Sequence, residues 1–157
     1  MAICNSGDLP SLLPKGARLL GLDVGTKTIG MALSDTTLLI ATPLATIRRS
    51  RFRDDVKSLA AVIAEHGVGG IVIGLPLSLD GSEGPRVQST RQFARNLLEH
   101  IDLPVVFWDE RLSTAAVERG MIEGDLSRRR RAELIDKAAA AYILQGFLDR
   151  LRQPARP

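Results

Sequence analysis

Cysteine is almost missing from this sequence. Cys4 is the single one in 157 residues, so no intramolecular disulfide can form and nothing signals an oxidising compartment. Aromatic side chains are scarce as well, at 4% against 45% hydrophobic residues overall. The core must therefore be filled by Ala, Val, Leu and Ile, which suits helices packed on a sheet. No stretch approaches the roughly 20 apolar residues that span a bilayer, and no cationic start precedes a long apolar run. A cytoplasmic protein with no membrane partner is the expectation. A strong charge imbalance is also absent, because a net charge of +3 is too mild to declare a nucleic-acid partner by itself. With no break in composition, one domain is expected at this length.

Where the charge sits says more than its total. Basic residues gather at Arg48, Arg49, Arg51 and Arg53, at Arg128, Arg129, Arg130 and Arg131, and near the end at Arg150, Arg152 and Arg156. Any one cluster reads equally well as solvated surface. Four adjacent arginines repel one another, however, and call for a polyanion or solvent around them. A flexible, phosphate-contacting loop over 128–131 is the expectation.

Residues 1–16 contain two prolines and two glycines without apolar periodicity, and are expected to form a disordered N-terminal extension. The domain is expected over 17–151, with a flexible basic tail over 152–157. Segments 18–24, 29–34 and 38–47 read as three strands divided by turn residues at Gly25 and Asp35, and such short turns imply antiparallel neighbours. Ser50 is placed to cap a helix through 66, where Val56, Leu59, Ala60 and Ile63 recur at helical spacing and Gly67 supplies the stop. A strand over 70–74 follows, then a Pro-, Gly- and Ser-rich loop over 76–84 that is long enough to be functional. Pro85 suits the first turn of a second helix, 105–108 forms another strand, Ser113 opens a helix to about 123, and a last helix runs from about 131 to 151. The result is an α/β fold with a mixed five-stranded sheet, three antiparallel strands continued by parallel ones and flanked by helices. That is the plan of a ribonuclease-H-like fold.

Three acids stand at telling places in this plan. Asp23 lies in an apolar strand just before the turn Val24-Gly25-Thr26-Lys27-Thr28, where it either hydrogen-bonds the turn or faces the end of the sheet. Asp109 and Glu110 sit at the carboxyl end of a strand, where α/β sheets place working residues. Strand alternation gives Glu110 the face of Val106 and Trp108, and Asp109 the face of Val105 and Phe107. Periodicity alone does not choose between them. Asp136 shares a helical stripe with Ala139, Ala140, Ile143 and Phe147, and a carboxylate there needs a cation, whether Lys137, an arginine or a metal ion. Asp23, Glu110 and Asp136 together offer hard oxygen ligands for Mg²⁺ or Mn²⁺, and such ions activate water and stabilise the leaving oxyanion of a phosphodiester. His66 and His100 fall at predicted helix ends and are not needed for this chemistry.

The motifs Leu22-Asp-Val-Gly-Thr-Lys-Thr-Ile-Gly30, Gly74-Leu-Pro-Leu-Ser-Leu-Asp-Gly81, Asp109-Glu-Arg-Leu-Ser-Thr114 and Asp136-Lys-Ala-Ala-Ala140 resemble the YqgF family of Holliday-junction-resolvase-like proteins. The resemblance runs from about 18 to 150 in the family's motif order, and only the longer N-terminal extension departs from it. It implies a ribonuclease-H-like nuclease that processes the 5′ end of pre-16S ribosomal RNA, with junction resolution as an older proposal. It carries the family's acids onto Asp23, Glu110 and Asp136. Lys27, Arg111 and the loop after Pro76 are then candidates for phosphate contacts, beside the arginines at 128–131. The partner would be structured RNA, or else branched DNA, bound by a monomer or a weak homodimer.

Two other functions compete. The Asp-Val-Gly-Thr-Lys-Thr segment also looks like the phosphate-binding hairpin of sugar kinases and actin-like ATPases, although this chain has residues for only one of their two halves. A nucleic-acid-binding module without catalysis would use the same basic surface.

Overall fold

The computed structural model describes residues 3–5, 7–78, 80–112 and 128–152, with the side chains at 112 and 128–136 outside that description. A short helix α1 (Leu9–Leu12) precedes the meander β1 (Arg18–Val24), β2 (Thr28–Ser34) and β3 (Ala41–Arg48). Helix α2 (Phe52–His66) then leads to β4 (Val68–Leu75), and α3 (Pro85–Leu98) to β5 (Val105–Asp109). A 3-10 turn (Glu110–Leu112) closes β5, and α4 (Arg128–Arg152) ends the described chain. The five strands lie in the order β3-β2-β1-β4-β5, antiparallel between β1, β2 and β3 and parallel between β1, β4 and β5. This is the sheet expected from the sequence. Among the described residues no helix is long and apolar enough to cross a membrane.

Alternation along the strands builds two cores. Leu20, Leu22 and Val24 of β1 face α2 and α3, whose Val56, Leu59, Phe93 and Leu97 cover that side. Leu19 of the same strand, with Val72 and Val106, faces Ala140, Ile143, Leu144 and Phe147 of α4. Strand β4 is buried along its whole length, as a parallel strand covered on both faces must be. Gly21 lets α4 settle directly on β1: a Cβ there would stand 2.8 Å from Leu144 Cβ and 3.0 Å from the Ala140 carbonyl oxygen.

Several expectations need correction. The segment before the sheet is packed over its described residues. Ile3 bridges Val105, the Cys4 amide donates to the Val105 carbonyl at 2.9 Å, and Leu9 is fully buried in the α4-side core. Three leucines in five residues, with a free β5 edge to pair with, outweigh the absence of periodicity. Strand β3 starts at Ala41 instead of 38, because the amides of Leu39 and Ile40 donate to Asp35 Oδ1 at 2.8 and 3.0 Å and so are held in the turn. Ser50 does not cap α2. Its amide donates to Asp55 Oδ1 at 3.1 Å, and Arg51 occupies the capping position without a side-chain cap; the stop at Gly67 is as expected. The arginines at 128–131 have helical backbone as the first turn of α4, not the backbone of a loop. Arg152 closes α4 and pairs with Asp149, so it does not open a tail. The helix expected over 113–123 and the tail beyond 152 lie outside the described residues.

Candidate active site

Strands β1, β4 and β5 run parallel, so their carboxyl ends share one edge of the sheet. Asp23, next to last in β1, alternates onto the α4 side with Leu19 and Gly21, and is half-buried. Registering Leu22 with Ile73 and Gly74 with Trp108 sets Gly74 between the ends of β1 and β5. Beyond Asp109 the chain turns into the 3-10 segment, and Glu110 swings over Gly74. A Cβ at position 74 would lie 2.9 Å from Glu110 Oε1, 3.0 Å from Glu110 Cγ and 2.5 Å from Ile143 Cδ1. The missing side chain is thus what makes room for the Glu110 carboxyl above α4.

There Glu110 and Asp23 share a hydrogen bond, and the Glu110 carboxyl is pushed up to about 7. Burial is the main cause and the negative charge of Asp23 the second; the Arg86 guanidinium pulls the other way, while the hydrogen bond to Asp23 and the charge of Asp109 add to the rise. Two carboxyl groups held this close keep a proton between them, because neither charge is well solvated. Asp109 points elsewhere. It takes Arg111 in a fork, with Nη2 to Oδ2 at 2.5 Å and Nε to both oxygens at 3.0 Å. Those hydrogen bonds hold its carboxyl below the ordinary value. Of the two adjacent acids, the tertiary structure brings Glu110 to Asp23 and gives Asp109 to Arg111.

The other candidates are placed as follows. Asp136 lies in α4 one helical turn before Ala140 and two before Ile143, the residues that meet Gly21 and Gly74; its side chain is outside the described set. Among the described residues no group of three or more acids, histidines or cysteines is arranged to hold a metal ion. Lys27 is exposed in the β1–β2 turn, where its carbonyl accepts the Arg49 amide at 2.8 Å. Arg111 reaches from Asp109 toward the 76–84 loop, with Nη1 3.3 Å from where a Gly81 Cβ would stand. The side chains of Arg128, Arg129, Arg130 and Arg131 are not described. Sequence reading missed Arg86, which acts on Glu110 from the first turn of α3. Its signal was there to read: a cation at a helix N-terminus opposes the helix dipole, and such a local violation marks a place where function outranks stability.

Residues 17–150 match the family model RuvX, described as Holliday junction resolvase. The chain belongs to the RuvX family. This agrees with the motif resemblance. Relatives carrying the name "Putative pre-16S rRNA nuclease" include proteins of Cereibacter sphaeroides, 62% identical over 88% of this chain and 87% of that one, and of Rhodobacter capsulatus, 59% identical over 95% and 94%. A third, from Roseobacter denitrificans, is 56% identical over 97% of this chain and 94% of its own. That span takes in nearly all of the N-terminal segment, so the segment does not set this member of the RuvX family apart from that relative. Among solved structures, a T. thermophilus RuvC in complex with Holliday junction substrate aligns with a TM-score of 0.51 at 14% identity, over 87% of this chain and 96% of the other. The fowlpox virus resolvase in complex with junction DNA gives 0.55 at 12% identity, over 87% and 99%. At such identities the likeness establishes the fold, which is ribonuclease-H-like.

Proposed function

We propose that this chain is a metal-dependent endonuclease that hydrolyses phosphodiesters, and that it trims the 5′ end of pre-16S rRNA during ribosome assembly in the cytoplasm. One observation carries the reading: Asp23 and Glu110, 87 positions apart in sequence, meet as a half-buried pair of carboxyls at the carboxyl edge of the sheet. Structure of this kind is costly unless a proton or a cation sits between the acids. The donors are hard oxygens, which fit Mg²⁺ or Mn²⁺, and Asp136 on α4 is the third ligand in this reading. Such an ion, when bound, would lower the pKa of water and stabilise the departing oxyanion.

The chain's own residues do the rest. Glu110 must give up its proton before a cation is held, so metal affinity rises with pH through the neutral range. Gly74 and Ile143 fix the Glu110 carboxyl against Asp23, which spares reorganisation when substrate arrives. Arg111, oriented by Asp109, and the exposed Lys27 hold phosphate oxygens beside the pair. The arginines at 128–131 add affinity that falls with salt and carries no sequence choice.

The test compares wild type with Asp23→Asn on a precursor-rRNA fragment and on a four-way DNA junction, each with Mg²⁺ or Mn²⁺ and with chelator. Cation-dependent cleavage of the RNA by wild type, lost in Asp23→Asn while binding persists, is the expected result. Cleavage confined to the junction would transfer the substrate to branched DNA, the substrate named in the family's description. Binding without any cleavage would leave a non-catalytic module.

A further inference from the structure

On the opposite side of β1 from α4, a groove of about 560 Å³ opens at the same edge of the sheet. Its walls come from three places in the chain: Val24 and Thr26 at and just beyond the end of β1, Arg49 and Ser50 after β3, and Arg86 and Ser89 in the first turns of α3. Among the described residues two arginines and several hydroxyls line it, and no acidic one does. The volume falls within the roughly 300–1,000 Å³ of ligand clefts, while the lining suits neither a cation nor an apolar molecule. Two helices add to the field, since α2 begins just after Ser50 and α3 at Pro85, and the positive ends of helix dipoles favour an anion.

Arg49 is held ready on its wall. Its Nη1 donates to the Gly25 carbonyl at 2.6 Å, its guanidinium lies 5.4 Å from the centre of the Phe93 ring, and Nε stands 4.0 Å from Asp55 Oδ2. Asp55 is almost wholly buried and that oxygen accepts no hydrogen bond. Its charge is therefore left to orient Arg49. Arg86, on the facing wall, is exposed, yet its charge reaches Glu110. Val24 directly follows Asp23 in the chain, so the groove begins about 3.8 Å along the backbone from the acid pair.

We propose that the groove between Arg49 and Arg86 is a backbone-phosphate subsite, receiving a nucleic-acid phosphate next to the one cleaved at Asp23 and Glu110. This assignment of a neighbouring phosphate rests on the nuclease reading. The groove's selectivity for an anion stands on its own lining. Arg86 and Arg49 grip the phosphate from two sides, with the Ser50 and Ser89 hydroxyls as further donors. Because the contact is to backbone, it sets position and register without reading sequence.

The experiment measures binding of a short labelled single-stranded RNA, and of the matching duplex, to the full chain in the presence of chelator and over a range of salt. Arg86→Gln is compared with Arg95→Gln, an exposed arginine about two and a half turns further along α3 that carries the same change of charge. Loss of one phosphate contact lowers the slope of log affinity against log salt by about 0.7–0.9, and affinity by about tenfold. Arg86→Gln is expected to show both changes on every sequence tried, Arg95→Gln neither, and circular dichroism to be unchanged in both. An equal response of the two variants, or none from either, overturns the subsite and leaves the cleavage assay of wild type to stand or fall by itself. Saturable micromolar binding of ATP that is lost in Arg86→Gln would also overturn it, in favour of a free nucleotide.

Discussion

Replacing Gly74 by alanine tests how the acid pair is built. The new methyl would stand 2.5 Å from Ile143 Cδ1, 2.9 Å from Glu110 Oε1 and 3.0 Å from Glu110 Cγ, whereas carbon atoms rest at about 3.5–4.0 Å. Ile143 is 1% exposed and has nowhere to swing, so the deficit falls on packing and on Glu110 together. Overpacking of this kind costs about 1–3 kcal/mol, or roughly 2–10 °C in melting temperature for a chain of this size. Urea unfolding of wild type, Gly74→Ala, Ile143→Val and the double variant would measure it. Ile143→Val alone removes the nearest atom and loses about 0.5–1.5 kcal/mol. In the double variant the methyl fills that space, so the two changes should couple favourably by about 1 kcal/mol. Cleavage should behave differently: it should fall in Gly74→Ala and stay low in the double variant, because Glu110 is still displaced from Asp23. A Gly74→Ala protein as stable as wild type within about 0.5 kcal/mol, with full activity, would refute this account of the site.

Two further outcomes follow from the same geometry. In metal-free protein Glu110 binds its proton more tightly folded than unfolded, so its contribution to stability is fully present below about 4.5 and is lost as pH rises through about 7. Glu110→Gln should flatten stability over that window, which denaturant titration at several pH values in chelator would show; an unchanged pH profile would contradict the burial of the pair. Leu9→Ala should cost about 2–5 kcal/mol, as for other fully buried leucines, if the segment before the sheet is packed as described. A change below about 0.5 kcal/mol would return that segment to the disorder suggested by its composition.

Most of the sheet was legible because its periods are local. Short turns at Gly25 and Asp35 announce antiparallel strands, and the helices over 52–66 and 85–98 separate strands that must then run parallel. Local rules failed where a longer-range partner competed. Asp35 captures the amides that would have begun β3 early, and Asp55 takes the amide of Ser50, the residue that composition alone assigns to a helix cap. Leu9 finds a core built mainly from strands and α4, which no window around residue 9 contains.

The acids behave in the same way. Their types and their places at strand ends were written in the amino-acid order, and with them the chemistry of hard oxygen ligands. Which acid of the 109–110 pair faces Asp23 was not, because alternation assigns each residue a face but not the element that covers it. Folding made the choice by turning the chain after β5 over the empty side of Gly74 and by handing Asp109 to Arg111. Arg49 and Arg86, 37 positions apart, likewise share a groove only because β3 ends and α3 begins beside the same turn after β1. Contacts between distant segments cost chain entropy that only the assembled core repays, and for that reason they are decided in three dimensions.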